Sequence, residues 1–306
     1  MSEDQGAVPP ANVAPPTLPL IEDARFKRTR EFAHRFLRRP AGVVSLVLIL
    51  IVLFFAVFQN LAATHDPIAT NFDARFEDPS VDHLLGTDNL GRDTFSRVVH
   101  GSRTAVLVGL ISVAIGLGVG LPYGLLSGYL GGWKDEVAMR VMDALYAFPA
   151  ILLALIVIAA LGTGITNVMI AIGVVFVPGF ARIARGSTLS VKRTEYILAA
   201  EALGASTLRI AFVHVLPNTL APIIVQASLS IGFAIIAEAS LSFLGLGTQP
   251  PDPSWGSMLQ ASQRFLTSEG ALAIYPGAAI VLTVLAFNLF GDVLRDLLDP
   301  RLRGAD

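Results

Sequence analysis

Long runs of apolar residues are the feature that most constrains this chain. Residues 41–58 contain no charged side chain and consist mainly of Val, Leu, Ile and Phe. About 20 residues at a rise of ~1.5 Å cross a hydrocarbon core of about 30 Å, so such a run can span a membrane as one helix. Of the 306 residues, 53% are hydrophobic and only 15% are charged, whereas a soluble domain is about 25% charged. The sequence therefore predicts an all-α, polytopic membrane protein.

Six segments have the length and composition of membrane helices. Their predicted bounds are 41–61, 105–126, 141–161, 165–181, 218–238 and 271–290. An even number of spans places both termini on one side of the membrane. With the loops assigned in alternation, seventeen of the 22 Lys and Arg residues fall on that side. The positive-inside rule therefore predicts cytoplasmic N- and C-termini.

The residues before the first span contain no apolar stretch of the signal-peptide kind. Residues 1–24 are rich in Pro, Ala and acidic side chains, which predicts a disordered tail. Seven cations follow in residues 25–39 with Phe interleaved, a pattern typical of an amphipathic helix on the membrane surface or of a solvated charge cluster. The predicted organisation is a cytoplasmic tail with a basic juxtamembrane segment (1–40), a first span (41–61), an external loop (62–104), a core transmembrane domain (105–296) containing a cytoplasmic loop (187–217), and a cytoplasmic tail (297–306).

The cytoplasmic loop is too polar for lipid although apolar runs flank it. Tyr196 to Leu203 is composed of good helix formers. Gly204 follows where a left-handed C-terminal turn needs a residue without Cβ. The loop therefore starts with a short helix that ends at a glycine turn.

A second short helix is predicted from Leu208 to Leu216, capped by Ser206 or Thr207 and ended by Pro217 and Asn218. The two helices would form an elbow that projects from the membrane domain. Its expected exposed face is small and apolar and suits docking into a groove on a partner; an ordinary amphipathic connector is the alternative. This face comprises Ala199, Ala200 and Ala205.

The predicted second span carries four glycines, each four residues apart: Gly116, Gly120, Gly124 and Gly128. This spacing places them along one ridge of a helix. Small residues on such a ridge let two helices approach closely in lipid. We expect a tight helix–helix seam; the alternative is that glycine is simply common in membrane spans.

Three further residues are unusual inside membrane spans. Pro149 and Pro178 each remove a backbone hydrogen bond and are expected to kink their helices. Glu238 stands at the outer end of a largely apolar helix, where a carboxylate is costly unless it faces water or a partner. It is a candidate for the transport path or the outer gate, with a capping role at the membrane interface as the alternative.

The external loop contains a polar cluster rich in turn formers. A packed hairpin with internal salt bridges is the simplest structure for it. The cluster consists of Asp88, Asn89, Gly91, Arg92 and Asp93.

Several kinds of chemistry have no counterpart in the sequence. There is no cysteine, so no disulfide or thiolate site can form. No glycine precedes a lysine, so a P-loop for ATP is lacking. The histidines are scattered over both sides without metal-ligand spacing, which predicts no metal site. They are His34, His65, His83, His100 and His214. We predict no catalytic residue and no bound cofactor.

The chain resembles the dipeptide/oligopeptide permeases of ABC transporters, and in particular their C-type subunit. The similarity runs from about Arg35 to Arg303 and rests on the segments LGTDNLGRD, AAEALGAS, HVLPN, EASLSFLGLG, PSWGSML and DPRLR. The elbow resembles the cytoplasmic "EAA" loop of these permeases. Leu198 stands where the pattern has Glu, and His214 where it usually has Ile. The matching positions are Ala199, Ala200, Gly204, Leu216 and Pro217.

The resemblance implies a type I ABC importer permease (MetI-like) fold with six transmembrane helices in the bacterial inner membrane. It implies a B-type permease partner, two cytoplasmic ATP-binding subunits and an extracytoplasmic substrate-binding protein, with peptide as cargo and no nucleic acid. ATP would be bound by the partner subunits alone. The residues expected to couple this chain to the ATPases are Glu195, Tyr196, Ala199, Ala200, Gly204, Ala205, Ser206, His214, Leu216 and Pro217.

Other functions remain open at this point. The same architecture could import nickel or another small chelate. A secondary transporter or channel would carry ionisable residues along its spans, and here Glu238 is nearly alone. A membrane enzyme would need a nucleophile–base or metal constellation, which the sequence does not show.

Overall fold

The computed structural model describes residues 30–298. Within these residues the chain is mainly helical and no strand forms; an isolated antiparallel bridge joins Thr87 to Asp93. The predicted all-α class is confirmed. The predicted disordered tail, residues 25–29 of the basic segment and residues 299–306 of the C-terminal tail lie outside the described residues.

The main helices are labelled here in chain order. They are α1 Pro40–Val57, α2 Thr94–Leu130, α3 Gly132–Tyr146, α4 Ala150–Leu161, α5 Ile165–Val191, α6 Glu195–Ala202, α7 Thr207–Phe243, α8 Trp255–Ser262 and α9 Ala271–Leu298. In the described part of the chain, α1, α2, α5, α7 and α9 are each long and apolar enough to cross a membrane. The pair α3 and α4 could form a sixth, bent span.

The predicted third span, 141–161, is divided between α3 and α4, and the kink expected at Pro149 is confirmed. Helices α3 and α4 meet at 90°, with a break at residues 147–149. Pro149 causes the break, because proline disfavours the helical conformation in the residue before it and here occupies the N-cap position of α4. Pro178, by contrast, lies inside α5 without ending that helix.

Helix α2 packs most extensively against α5. Gly116, Gly120, Gly124 and Gly128 all face α5. A Cβ added to Gly120 would lie 2.5 Å from the carbonyl oxygen of Val177, and one added to Gly124 would overlap the carbonyl oxygen of Ala181. The two backbones therefore touch along this ridge, which is the arrangement that small residues at four-residue spacing allow.

Helix α7 is the centre of the bundle and packs against α2, α5 and α9. One apolar cluster joins it to α2, α4 and α5, for example through Val108, Ile172 and Ala234. A second cluster joins it to α1, α8 and α9, where Ile235 and Phe287 are buried together. A movement of α7 must therefore be shared by its neighbours, because close-packed side chains transmit displacement.

Candidate functional site

A cavity of ≈600 Å³ lies between α3, α4, α5, α7 and α9. Its wall is mainly apolar and includes Phe176 and Phe233, whose rings pack edge-to-face with centroids 6.0 Å apart. Three neutral polar side chains from α7 and α9 also line it: Gln226, Ser230 and Asn288. No charged side chain is among the described residues that line this cavity. An apolar wall with a few neutral hydrogen-bonding groups is typical of a site for a small organic ligand.

A second cavity of ≈480 Å³ adjoins the first, because Gln226 and Leu229 line both. It extends along α7 past Pro222 to Asn218 and also touches Arg295 of α9. Together the two cavities follow α7 from the middle of the bundle to the end that carries the residue 195–216 loop. Gln226, Ser230 and Asn288 were not predicted as site residues, although polar side chains in otherwise apolar spans were a visible signal.

The loop at that end, Glu195–Leu216, is called the elbow from here on. Its first helix, α6, is followed by the C-cap residue Leu203, and Gly204 has φ +77°. The amide of Gly204 donates to the carbonyl of Glu201 (2.9 Å) and that of Ala205 to the carbonyl of Ala200 (3.1 Å). These two bonds form a Schellman motif, so Gly204 adopts the left-handed turn that the sequence predicts.

The underside of the elbow packs onto the end of α2. Ile197 is fully buried against Leu125 and Tyr129 of α2 and against Ile210 and Val215 of α7. The elbow is therefore joined to the membrane helices through an apolar core, not only through its covalent connections.

The expected exposed alanine face is only partly correct. Ala199 is exposed, but Ala200 and Ala205 are half-buried and pack against the core beneath the elbow. The reason is the Schellman motif, which brings residues 200 and 205 together on the inner side. The outer surface of the elbow is apolar because of leucines, which are larger than the expected alanines. Leu198, Leu203 and Leu208 are 55%, 88% and 61% exposed. Leu198 occupies the position at which the "EAA" pattern has Glu.

The prediction that Pro217 and Asn218 end the second elbow helix is wrong. Helix α7 runs without interruption from Thr207 to Phe243, with a π-helical stretch at Ile210–Val215. The amide of Leu216 bonds to the carbonyl of Ala211, five residues earlier. The wider turn places Pro217 in the first turn of the α-helix that follows, where proline is tolerated.

The remaining predicted elbow residues lie in α6, at the start of α7 and in its π-helical stretch. Ser206 is the N-cap residue of α7 but makes no side-chain cap bond. His214 is half-buried, and its carbonyl accepts a hydrogen bond from the Asn218 side chain (2.8 Å). Glu195 and Tyr196 are exposed at the start of α6.

Polar contacts brace the elbow end of the bundle. The Tyr129 hydroxyl at the end of α2 donates to the Glu201 carboxylate of α6 (2.9 Å). Arg185 of α5 forms a two-bond ion pair with Asp135 of α3 (2.6 and 2.7 Å). The elbow and the helices lining the cavity are thus connected through α2 and α5. Sequence reasoning did not find these pairs because their members are far apart in the chain.

Glu238 does not line either cavity. It is 2% exposed, and its carboxylate accepts a hydrogen bond from Ser242 (2.6 Å) one turn further along α7. The loop before α8 covers it: Ser242 also accepts a bond from the amide of Thr248 (3.1 Å). A role in the outer gate stays a prediction.

The loop 62–104, which the sequence predicts to be external, folds into a packed unit against the start of α2. Arg92 pairs with Asp88 (2.7 Å), and Arg97 lies 3.7 Å from the same carboxylate. Asp93 caps α2 by accepting from the amide of Ser96 (2.8 Å). Burial raises the pKa of Asp93, but hydrogen bonds from Ser96, His83 and Thr64 outweigh it and hold the pKa below its ordinary value.

The expectation that all five histidines are scattered is wrong for two of them. The rings of His65 and His83 lie 4.6 Å apart, centroid to centroid. The Nδ1 atom of His83 is 2.9 Å from Asp93 Oδ1, and that of His65 is 3.9 Å from the same oxygen. The chain between residues 65 and 93 folds back on itself, which a sequence spacing of 18 residues between the histidines does not reveal.

Residues 120–304 match the family described as binding-protein-dependent transport system inner membrane component. Residues 27–79 match the N-terminal transmembrane domain of oligopeptide transport permease C. Two similar relatives are the glutathione transport system permease proteins GsiD of Pectobacterium atrosepticum and of Escherichia coli O1:K1. They are 45% and 43% identical over 291 residues, which is 94% of this chain and 96% and 95% of theirs.

A solved structure with a similar fold is that of the MetNI methionine ABC transporter in inward-facing conformations. The matched chain has a TM-score of 0.55 at 18% identity, and the match covers 66% of this chain and 96% of that one. At this level of identity the likeness concerns the fold alone.

Proposed function

Since this chain belongs to the family of binding-protein-dependent transport system inner membrane components, we propose that it forms half of the translocation path of an ATP-driven peptide importer. It is a C-type permease subunit, and a related B-type permease would form the other half. Two ATP-binding subunits would supply the energy, and an external binding protein would deliver the cargo. The chain itself would perform no catalysis.

The observation that carries the proposal is the link between the elbow and the cavity. Ile197 and Glu201 of the elbow contact α2, α2 touches α5 along its glycine ridge, and α5 lines the cavity. An ATPase that moves the elbow would therefore move the cavity wall as a rigid body. Alternating access by such coupled rigid-body motion needs no ionisable relay within the spans.

The cargo follows from the cavity wall and from the relatives. The relatives are described as glutathione transport proteins, and glutathione is a small peptide. Gln226, Ser230 and Asn288 can exchange hydrogen bonds with peptide amides, whereas a bare Ni²⁺ would require imidazole, carboxylate or thiolate ligands. Peptide import is therefore favoured over nickel import.

The elbow is the proposed contact with the ATPases, which places it on the cytoplasmic side together with both termini. Leu203→Asp tests this, because Leu203 is 88% exposed and a charge there opposes docking of an apolar surface. We expect normal insertion, little ATPase subunit co-purified per permease, and loss of hydrolysis stimulated by loaded binding protein. Val81→Asp in the external loop, 95% exposed, is the matched control. Wild-type ATPase retention in Leu203→Asp would refute the coupling role.

The cargo is tested by uptake into vesicles that contain the complete transporter. We expect ATP-dependent uptake of labelled glutathione or another short peptide and none of free Ni²⁺. Asn288→Leu should reduce peptide uptake while leaving assembly intact, because it removes a polar group from the cavity wall. Val281→Leu on the exposed face of α9 should not. Uptake driven by an ion gradient without ATP would instead indicate a secondary transporter.

A further inference from the structure

We propose that His65, His83 and Asp93 form a binding site for one divalent transition-metal ion of the Zn²⁺ class in the external loop. One donor atom from each of these residues lies within 4.8 Å of the other two. The inference is independent of the transport function, because it rests only on this cluster.

The distances are close to those of a metal-bound site. Zn–N and Zn–O bonds of about 2.0–2.1 Å place the donors of a tetrahedral ion roughly 3.3–3.5 Å apart. Asp93 Oδ1 is now 2.9 Å from His83 Nδ1 and 3.9 Å from His65 Nδ1. One separation must widen and the other shorten, each by about half an ångström. His65 can move toward Asp93 because its side chain is 44% exposed. The same movement can set its separation from the His83 donor atom, which is now within 4.8 Å.

The carboxylate is already held in place for this role. Asp93 is 1% exposed in its side chain, and its Oδ2 atom accepts from the Ser96 amide (2.8 Å) and the Thr64 hydroxyl (3.2 Å). The Oδ1 atom is left to face the two histidines. This division of the two oxygens resembles the way in which outer hydrogen bonds orient metal ligands.

The donor set selects the type of ion. Two imidazoles and one carboxylate suit Zn²⁺, Ni²⁺ or Fe²⁺, while Mg²⁺ and Ca²⁺ prefer oxygen ligands alone. Water would occupy the fourth position on the exposed side of His65. Without a metal, His65 Nδ1 lies 3.1 Å from the Thr64 hydroxyl. A metal ion would have to replace only this one neutral hydrogen bond.

A metal here would tie together three points of the external loop. Residue 65 follows the end of α1, residue 83 lies in the middle of the loop, and residue 93 caps α2. The ion would fix the loop against the first turn of α2.

The test titrates Zn²⁺ into the full chain, purified in detergent without a polyhistidine tag and stripped of metal. We expect one Zn²⁺ per chain and a tetrahedral visible spectrum when Co²⁺ is used instead. His65→Ala and His83→Ala should each weaken binding more than about 100-fold, because loss of an outer partner alone costs 10–100-fold. Thiolates cannot contribute, since the chain has no cysteine.

Two controls separate the site from general effects. His100→Ala should bind Zn²⁺ like the wild type, because His100 Nδ1 faces the Ser96 carbonyl (2.9 Å) outside the cluster. Asp93→Asn keeps a side-chain oxygen to cap α2 and should weaken binding without unfolding the loop. Absence of Zn²⁺ binding by the wild type, or near-wild-type affinity in either His65→Ala or His83→Ala, would overturn the assignment.

Discussion

At the scale of single residues, the glycines of α2 are not equivalent. Gly124 faces the backbone of α5 at Ala181, whereas Gly118, on the same helix, has no atom within 4 Å of the place where a Cβ would be. The sequence already distinguishes glycines that contact α5 from one that does not. Gly118 is not part of the four-residue series, which consists of Gly116, Gly120, Gly124 and Gly128.

Gly124→Ala should therefore destabilise the α2–α5 seam, and Gly118→Ala should not. The added methyl group would force two backbones apart, and such overpacking costs about 1–3 kcal/mol. The measurement is the midpoint of thermal unfolding in detergent together with the yield of assembled complex. Equal midpoints for the two variants would contradict the close approach of α2 and α5 at Gly124.

At the scale of secondary-structure elements, the packing of the elbow onto α2 depends on both α6 and the start of α7. The Schellman turn at Gly204 directs α6 back onto α2, and the π-helical stretch of α7 completes the apolar core around Ile197. Among the hydrogen bonds of the described residues, the one between Tyr129 and Glu201 joins the side chains of α2 and α6 directly.

Tyr129→Phe should weaken the transmission of movement from the elbow to α2. A hydrogen bond to a charged group contributes about 1.5–3 kcal/mol when buried and less here, because Glu201 is exposed. We expect ATP hydrolysis to continue while peptide transported per ATP falls. Tyr275→Phe, near the start of α9, removes the same hydroxyl group far from the elbow and serves as the control. An unchanged transport-to-hydrolysis ratio in Tyr129→Phe would show that this contact does not transmit the movement.

At the scale of the whole molecule, the orientation in the membrane can be measured directly. The chain has no cysteine, so single cysteines are clean reporters. Val81 and Leu203 are 95% and 88% exposed, one in the external loop and one in the elbow. Ser254 would report poorly, because it is buried as the N-cap of α8.

In intact cells, Val81→Cys should react with an impermeant thiol reagent and Leu203→Cys should not, since the cation distribution places the elbow inside. Leu203→Cys should react once the membrane is opened and the ATP-binding subunits are stripped away, which proves that the thiol itself is accessible. Labelling of Leu203→Cys in intact cells would reverse the proposed orientation.

The sequence by itself determined the features that depend on local composition. Uninterrupted apolar runs of this length determined the membrane helices, because a helix makes all its backbone hydrogen bonds within one segment and so needs no partner in lipid. The glycine spacing of α2 predicted one ridge, and Gly204 predicted the turn of the elbow, since both follow from the geometry of a single helix.

Only the tertiary structure decided which residues come together across the chain. The π-helical turn carried α7 through Pro217, where the sequence predicted the end of a helix. The pairing of Tyr129 with Glu201 joins residues 72 positions apart. The cluster of His65, His83 and Asp93 forms where a loop folds back onto the start of α2. Local propensity and periodicity carry no information on such contacts. The contacts depend on how helices and loops pack once they have formed.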